Sequence, residues 1–212
     1  MKIALIGAGG MIGQRIAQEA LRRGHAVTAL VRDPARYGEA YPEIPAAKAD
    51  ARDAAALAGA IAGHDVVISS FGPNHQSGDV QDYPRVARAL IEAVGRTEGQ
   101  RLLVVGGAGS LEVAPGVALY DTPEFPAAWL PLAKAHGESL ALYRTADIDW
   151  TFLCPPALIE PGERTGMYRV GGEQLLTDAN GQSAISAEDY AVALLDEIER
   201  PQHLRQRFTV AY

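Results

Sequence analysis

The sequence predicts an α/β fold, a doubly wound, mainly parallel sheet with helices on both faces. Short β-rich runs alternate with helical patterns almost from end to end, the signature of repeated βαβ crossovers. The strand-like runs are continuously apolar rather than alternating, as in strands covered on both faces. Hydrophobic residues make up 48% of the 212, enough to clothe such a sheet twice. The length suits one domain spanning residues 1–212.

Residues 3–6 are an apolar run that ends in glycines, and they read as a central strand. Ile12, Ile16, Ala20 and Leu21 then fall on one helical stripe, with Gln14, Arg15, Gln18, Arg22 and Arg23 elsewhere. Gly24 closes that helix, and residues 26–31 form the second strand. A weaker third strand lies near 46–49. Asp53 caps a helix running to about residue 62, and residues 65–69 are the fourth strand. Val86, Ala87, Leu90, Ile91 and Val94 form the buried face of a long helix, followed by a fifth strand over 101–105. An alanine- and leucine-rich helix covers roughly 127–145. The sixth strand, 150–153, is stopped by Pro155-Pro156. Residues 155–182, rich in Gly, Pro and charge, are expected as loops and short strands over the substrate side of the sheet. Ser186 opens a final helix with Glu188 and Asp189 in its first turn. Tyr190, Ala191, Leu194, Leu195 and Ile198 form its stripe, and 207–211 read as the last strand.

Composition excludes several classes of function. A formal net charge of -7 argues against nucleic acid as a partner, which needs a clustered positive field. No apolar run approaches the roughly 18 residues of a membrane span. The first residues pass into glycines without a cleavage-like site, so a strand is expected there rather than a signal peptide. The single cysteine, Cys154, fits a reducing cytoplasm and reads as a small core residue. His25, His64, His75 and His203 lack metal-ligand spacing, so no metal is expected.

The chemistry sits in Gly7-Ala8-Gly9-Gly10-Met11-Ile12-Gly13, which joins the first strand to the first helix. The string is akin to G-x-G-x-x-G and its spacing also reads as Gly7-x-x-Gly10-x-x-Gly13; such a loop acquires meaning only between an apolar strand and an amphipathic helix, and it has that setting here. Gly7 permits the tight turn. Gly9 and Gly10 let backbone N–H groups approach a pyrophosphate, and Gly13 lets the helix pack closely. The amides opening the helix, at Met11, Ile12 and Gly13, hold the anion with dipole assistance. The reading is a Rossmann-type dinucleotide site; the competing reading is a plain tight turn. About 20 residues past the last glycine, the second strand ends in Arg32-Asp33-Pro34, and Arg36 follows one turn on. Two guanidinium groups would bracket a 2′-phosphate, so NADP(H) is favoured over NAD(H). Asp33 would either meet a free ribose hydroxyl or cap the following turn.

With these motifs the chain resembles the atypical short-chain dehydrogenase/reductase group, and within it the NAD(P)H-binding proteins similar to biliverdin/flavin reductase and NmrA-like regulators. Further matches are Gly106-Gly107-Ala108-Gly109-Ser110-Leu111, Asp149-Trp150-Thr151-Phe152-Leu153-Cys154-Pro155-Pro156 and the stretch around Ile185–Ala191. The resemblance implies Asp50 near the adenine and Phe71-Gly72-Pro73 along the cofactor path. The alternatives are a helix cap for Asp50 and a turn for the other three. It also implies catalytic positions. Lys134 matches the lysine of the classical Tyr-x-x-x-Lys pair, but Leu130 stands where the tyrosine belongs and has no proton to give. Tyr143 lies nine residues beyond Lys134, the wrong spacing to replace it. Ser110 would bond a substrate, or cap a local turn. His136 has a suitable intrinsic pKa but lies about 200° around the helix from Lys134, which reads as off the site and solvated.

The missing acid suggests hydride transfer from NADPH to a small-molecule planar acceptor, a flavin or quinone that takes its proton from water. The alternative is a non-catalytic NADP(H)-binding redox sensor resembling NmrA. A homodimer is compatible with either.

Overall fold

A computed structural model describes residues 1–72, 79–97 and 99–212. Its elements in chain order are β1 (Lys2–Ile6), α1 (Met11–Arg22), β2 (Ala26–Val31), α2 (Pro34–Ala40), β3 (Ala46–Lys48), α3 (Ala54–Ile61), β4 (Val66–Ser69), α4 (Asp82–Gly95) and β5 (Arg101–Val105). A hairpin of β6 (Glu112–Ala114) and β7 (Val117–Ala118) follows, then α5 (Leu130–Arg144), β8 (Asp149–Cys154), β9 (Leu158–Glu160), β10 (Arg169–Gly171), β11 (Ala184–Ser186), α6 (Ala187–Glu199) and β12 (Gln206–Ala211). The main sheet has the order β3-β2-β1-β4-β5-β8-β12-β10. All its neighbours pair in parallel except β10 with β12. The predicted doubly wound fold class is borne out.

Alternation along each strand divides the core. Ile3 and Leu5 face a cluster with Ile16, Ala17 and Ala20 of α1 and Tyr190, Leu194 and Leu195 of α6. Ala4 and Ile6 face the opposite cluster, with Leu57 and Ile61 of α3, Val86 and Leu90 of α4 and Leu140 and Tyr143 of α5. A strand packed on both faces must be apolar at every position, and this is why β1 shows no alternation.

The helix starts follow the sequence signals. Asp53 caps α3, accepting from the N–H groups of Ala55 and Ala56 at 2.9 and 3.0 Å. Ser186 caps α6, accepting from the Asp189 N–H at 3.0 Å. The helix expected over 127–145 begins later, because residues 127–129 form a separate 3-10 turn and α5 opens at Leu130 with Pro131 in its first turn. Leu21, expected on the buried stripe of α1, is exposed. Glu19 is buried instead, clasped by Arg22, Arg23 and Arg164. Periodicity does not report ion pairing, which lets a carboxylate occupy the buried face.

Chain order fixes the functional edge. From β1 the chain winds outward to β2 and β3, then returns to the far side of β1 as β4. Such a reversal leaves a crevice at the C-terminal ends of the two strands, where dinucleotides bind in this architecture. Among the described residues no helix is long and apolar enough to cross a membrane.

Candidate functional site

The glycine loop crosses that crevice, and its glycines are imposed by close backbone contacts. Gly7 has φ +78°, and a Cβ on it would lie 2.1 Å from the Ser70 carbonyl oxygen, just beyond β4. A Cβ on Gly13 would lie 2.1 Å from the Gly7 carbonyl oxygen. These contacts bring the turn, the helix and the end of β4 together without intervening side chains. The Gly10 N–H donates to the Gly7 carbonyl at 3.0 Å and closes the turn, while Gly9, Gly10 and Met11 are exposed. Ile12 is partly buried, packed against the α1 side of the core. No side chain caps α1 and no acid lies in its first turn, unlike α2, α3 and α6. Its opening amides therefore point into the crevice with the positive end of the helix dipole behind them. A diphosphate fits this cradle, since it needs close backbone approach and donors without a competing carboxylate.

A brace that the sequence motifs do not reveal holds the loop from beneath. The Gln14 side-chain amide donates to the Gly9 carbonyl at 2.8 Å and to the Tyr41 hydroxyl at 2.6 Å. Tyr41 packs on the buried Tyr37, ring centroids 4.8 Å apart, and a Cβ on Gly9 would lie 3.9 Å from the Tyr37 ring. Burial pushes the Tyr37 phenol up to about 12.

At the end of β2, Arg32 and Arg36 are both exposed, and neither has an ion-pair partner among the described residues. Asp33 is the N-cap of α2, its Oδ1 accepting from the Arg36 N–H at 3.1 Å. Asp50 does not cap a helix. Arg52 grips it through Nε at 3.0 Å and Nη2 at 2.8 Å, holding its carboxyl down to about 2 with added help from the Arg32 charge. Phe71 and Gly72 follow β4 beside the loop, Phe71 meeting Tyr83 of α4 edge-on at 5.8 Å. Pro73 and His75 lie outside the described residues.

Ser110 and Lys134 sit on adjoining elements, the 3-10 turn after β5 packing on α5 so that a Cβ on Gly137 would lie 3.9 Å from the Ser110 Cβ. Ser110 lies in the 3-10 turn after β5, and Arg207 of β12 donates through Nη1 to its carbonyl at 2.8 Å and its Oγ at 3.0 Å. It lines a pocket of about 190 Å³ with Tyr120, Gly137, Arg144 and Arg207. Lys134 is exposed, between the buried Ala133 and Ala135. The buried positions of α5, Ala133, Ala135, Ser139, Leu140 and Tyr143, centre on a face opposite Lys134 at 100° per residue. His136 falls within that face. The 200° separation expected between the two residues is therefore present, but it is His136 that points inward and Lys134 that meets solvent. A Cβ on Gly107, just past β5, would lie 2.9 Å from the His136 Cγ, and the imidazole packs on Tyr83 with centroids 4.0 Å apart. Sequence reasoning set His136 aside by fixing the helix phase on Lys134; the run of small and apolar residues around it was the better guide to phase.

Cys154 is fully buried, its thiol pushed up to about 12 by burial. Among the described residues no group of His, Cys, Asp and Glu is placed to hold a metal. His25 and His203 instead meet Glu199 and Glu197 at 3.0 and 2.8 Å.

Residues 7–201 match the model of an NAD(P)H-binding family. The chain belongs to this family. YwnB of Bacillus subtilis, an uncharacterized protein, is 44% identical over 217 residues, spanning 99% of this chain and 98% of YwnB. Among solved structures, a Burkholderia pseudomallei protein provisionally described as exported is 49% identical with a TM-score of 0.91, covering 100% of both chains. A Streptococcus pneumoniae protein provisionally described as an NADH-flavin reductase is 36% identical with a TM-score of 0.89, covering 100% of this chain and 99% of that one. The expected kinship with NAD(P)H-binding proteins of the flavin reductase type is borne out. The cradle geometry of Gly7, Gly10 and Gly13 is compatible with such a family.

Proposed function

We propose that the protein is an NADPH-dependent reductase of a planar small-molecule acceptor such as a flavin or quinone. The observation that carries the cofactor choice is the pair of exposed guanidinium groups of Arg32 and Arg36, neither ion-paired among the described residues, at the end of β2, where this architecture meets the adenosine ribose. Asp33, the acid that would favour an unphosphorylated ribose, already spends one carboxylate oxygen on the α2 cap. The amides of Met11, Ile12 and Gly13 would hold the diphosphate, with Gly9 and Gly10 allowing its approach. Asp50 and its partner Arg52 border the adenine end, and Phe71 and Gly72 border the path toward β5. Bound there, the nicotinamide supplies a hydride to the acceptor. The chain orients both partners and shields them from water. Ser110 serves by fixing the turn after β5 to β12.

The test is separate titration of NADPH and NADH by nicotinamide fluorescence, with wild type and the Arg32→Ala/Arg36→Ala double variant. Each charge-assisted bond contributes about 1.5–3 kcal/mol, so the double variant should weaken NADPH binding at least ~100-fold and leave NADH within ~3-fold. Equal wild-type affinity for the two nucleotides would refute the assignment of the arginines. Failure of wild type with NADPH to reduce any of a panel of flavins and quinones above the blank would refute the reductase reading. It would favour the redox sensor, for which the non-acidic Leu130 speaks equally.

A further inference from the structure

We infer that His136 is the proton donor of the reductase, facing the acceptor from between the ends of β4 and β5. The inference rests on the reductase reading above and supplies the side-chain acid that the α5 sequence lacks at Leu130.

Three observations place the imidazole. First, it lies on the sheet-facing side of α5, in the arc of Ala133, Ser139, Leu140 and Tyr143, yet it is only partly buried where those four are buried. Second, it occupies the space that a side chain at position 107 would fill. A Cβ there would come within 2.9 Å of His136 Cγ and 3.0 Å of Cδ2. Gly107 is the second residue past β5, so that space lies over the strand's C-terminal end. Third, it is continuous with the residues after β4. Its ring packs at 4.0 Å on Tyr83, which meets Phe71 edge-on at 5.8 Å, and all three line one narrow cavity with Ser69 and Val105. That cavity shares no lining residue with the pocket beside Ser110. A dinucleotide held at Gly7–Gly13 with its adenosine toward Arg32 must run its other half the opposite way, from β1 across β4 to β5. That would bring it toward the side of the sheet on which Gly107 and His136 meet.

The groups facing His136 suit the role. From α4 comes Tyr83, whose phenol burial pushes up to about 12, so it stays neutral. From β4 and its loop come Ser69 and Phe71, from β5 Val105 and just past it Gly107, and from α5 Tyr143, whose phenol burial pushes up, and Ser139, whose hydroxyl donates to the Ala135 carbonyl at 2.9 Å. In the step, the N–H bond of the His136 imidazolium breaks and the proton bonds to a heteroatom of the acceptor. A reduced nicotinamide held in the cradle would supply both electrons and the other hydrogen as hydride. Water then returns a proton to the ring, so that NADPH, one proton and the acceptor become NADP⁺ and the dihydro-acceptor.

The experiment combines two readouts on the full chain. The histidine ring resonances of ¹⁵N-labelled protein are followed as NADP⁺ is added, with His136→Gln assigning the signal and His136→Asn as a second variant; circular dichroism checks that both fold. Steady-state quinone reduction is measured from pH 5.5 to 9. Expected are a His136 ring shift that saturates with NADP⁺ and a ~10–100-fold fall in kcat in both variants, a share of what a positioned acid contributes. The KM for NADPH should stay within ~3-fold. Wild-type kcat should fall as pH rises, and the variants should be flat. An unmoved ring at saturating NADP⁺, or variants as fast as an active wild type, overturns the inference and leaves the reductase reading standing. An inactive wild type overturns both.

Discussion

Replacing Glu19 by glutamine tests whether the buried charge cluster on the cofactor helix is a net source of stability. The Glu19 side chain is 3% exposed and receives Arg23 Nε at 2.8 Å, Arg164 Nε and Nη2 at 2.8 Å each, and Arg22. The Arg164 bonds lead the effects that bring its carboxyl from 4.5 down to about 2, against the opposing cost of burial. A difference of about 2.5 units at about 1.4 kcal/mol each corresponds to about 3 kcal/mol favouring the folded state. That agrees with the roughly 3–5 kcal/mol lost when one member of a buried ion pair is removed. Because the folded value is the lower one, the contribution is complete above about pH 4.5 and disappears as pH falls toward 2. Urea unfolding of wild type and Glu19→Gln should therefore differ by about 3 kcal/mol at every pH from 5 to 8. Melting should drop by ~6–12 °C for a chain of this size. The gap should narrow only below pH 4.5. A gap under 1 kcal/mol at pH 7, or one that persists unchanged at pH 3, would refute the reasoning.

Gly13→Ala places a Cβ 2.1 Å from the Gly7 carbonyl oxygen, backbone that cannot yield cheaply, so nicotinamide nucleotide binding should weaken at least ~10-fold by calorimetry while the circular dichroism spectrum is retained. Asp53→Ala removes the α3 cap and should cost about 1 kcal/mol in urea unfolding, with no change in nucleotide affinity. Asp189 is fully buried and accepts from the Thr165 and Gly166 N–H groups at 2.8 and 2.7 Å and from the Tyr212 hydroxyl at 2.8 Å. Asp189→Asn turns one acceptor into a donor, and limited proteolysis should cut faster within 161–168.

The fold was legible because its strongest signals are local. Continuous apolar runs, the caps at Asp53 and Ser186 and the glycine loop each declare themselves within a few residues. Features assembled from distant residues left no such trace. The Gln14–Tyr41 bond under the loop joins positions 27 apart, and the Arg207–Ser110 clip joins positions 97 apart. The hairpin of β6 and β7 is short and half exposed, and so lacks the apolar run that marks a core strand. The phase of α5 failed for a different reason. It was anchored on one lysine matched to a family pattern, whereas the buried positions around Tyr143 orient the helix. The arginines ending β2 and the glycines of the first turn could be read directly, since both act through the backbone or charge next to them in sequence.

The two layers of helices are supplied at very different moments of synthesis. The side of the sheet bearing Ala4, Ile6, Leu102 and Phe152 is roofed in step with translation by α3, α4 and α5. The side bearing Leu5, Leu103 and Leu153 has α1 and, at its β2 end, Tyr37 of α2, but over its central strands waits for α6, which emerges late in the chain. A nascent chain stalled before residue 187 therefore displays a broad oily surface across its central strands, a natural foothold for chaperones.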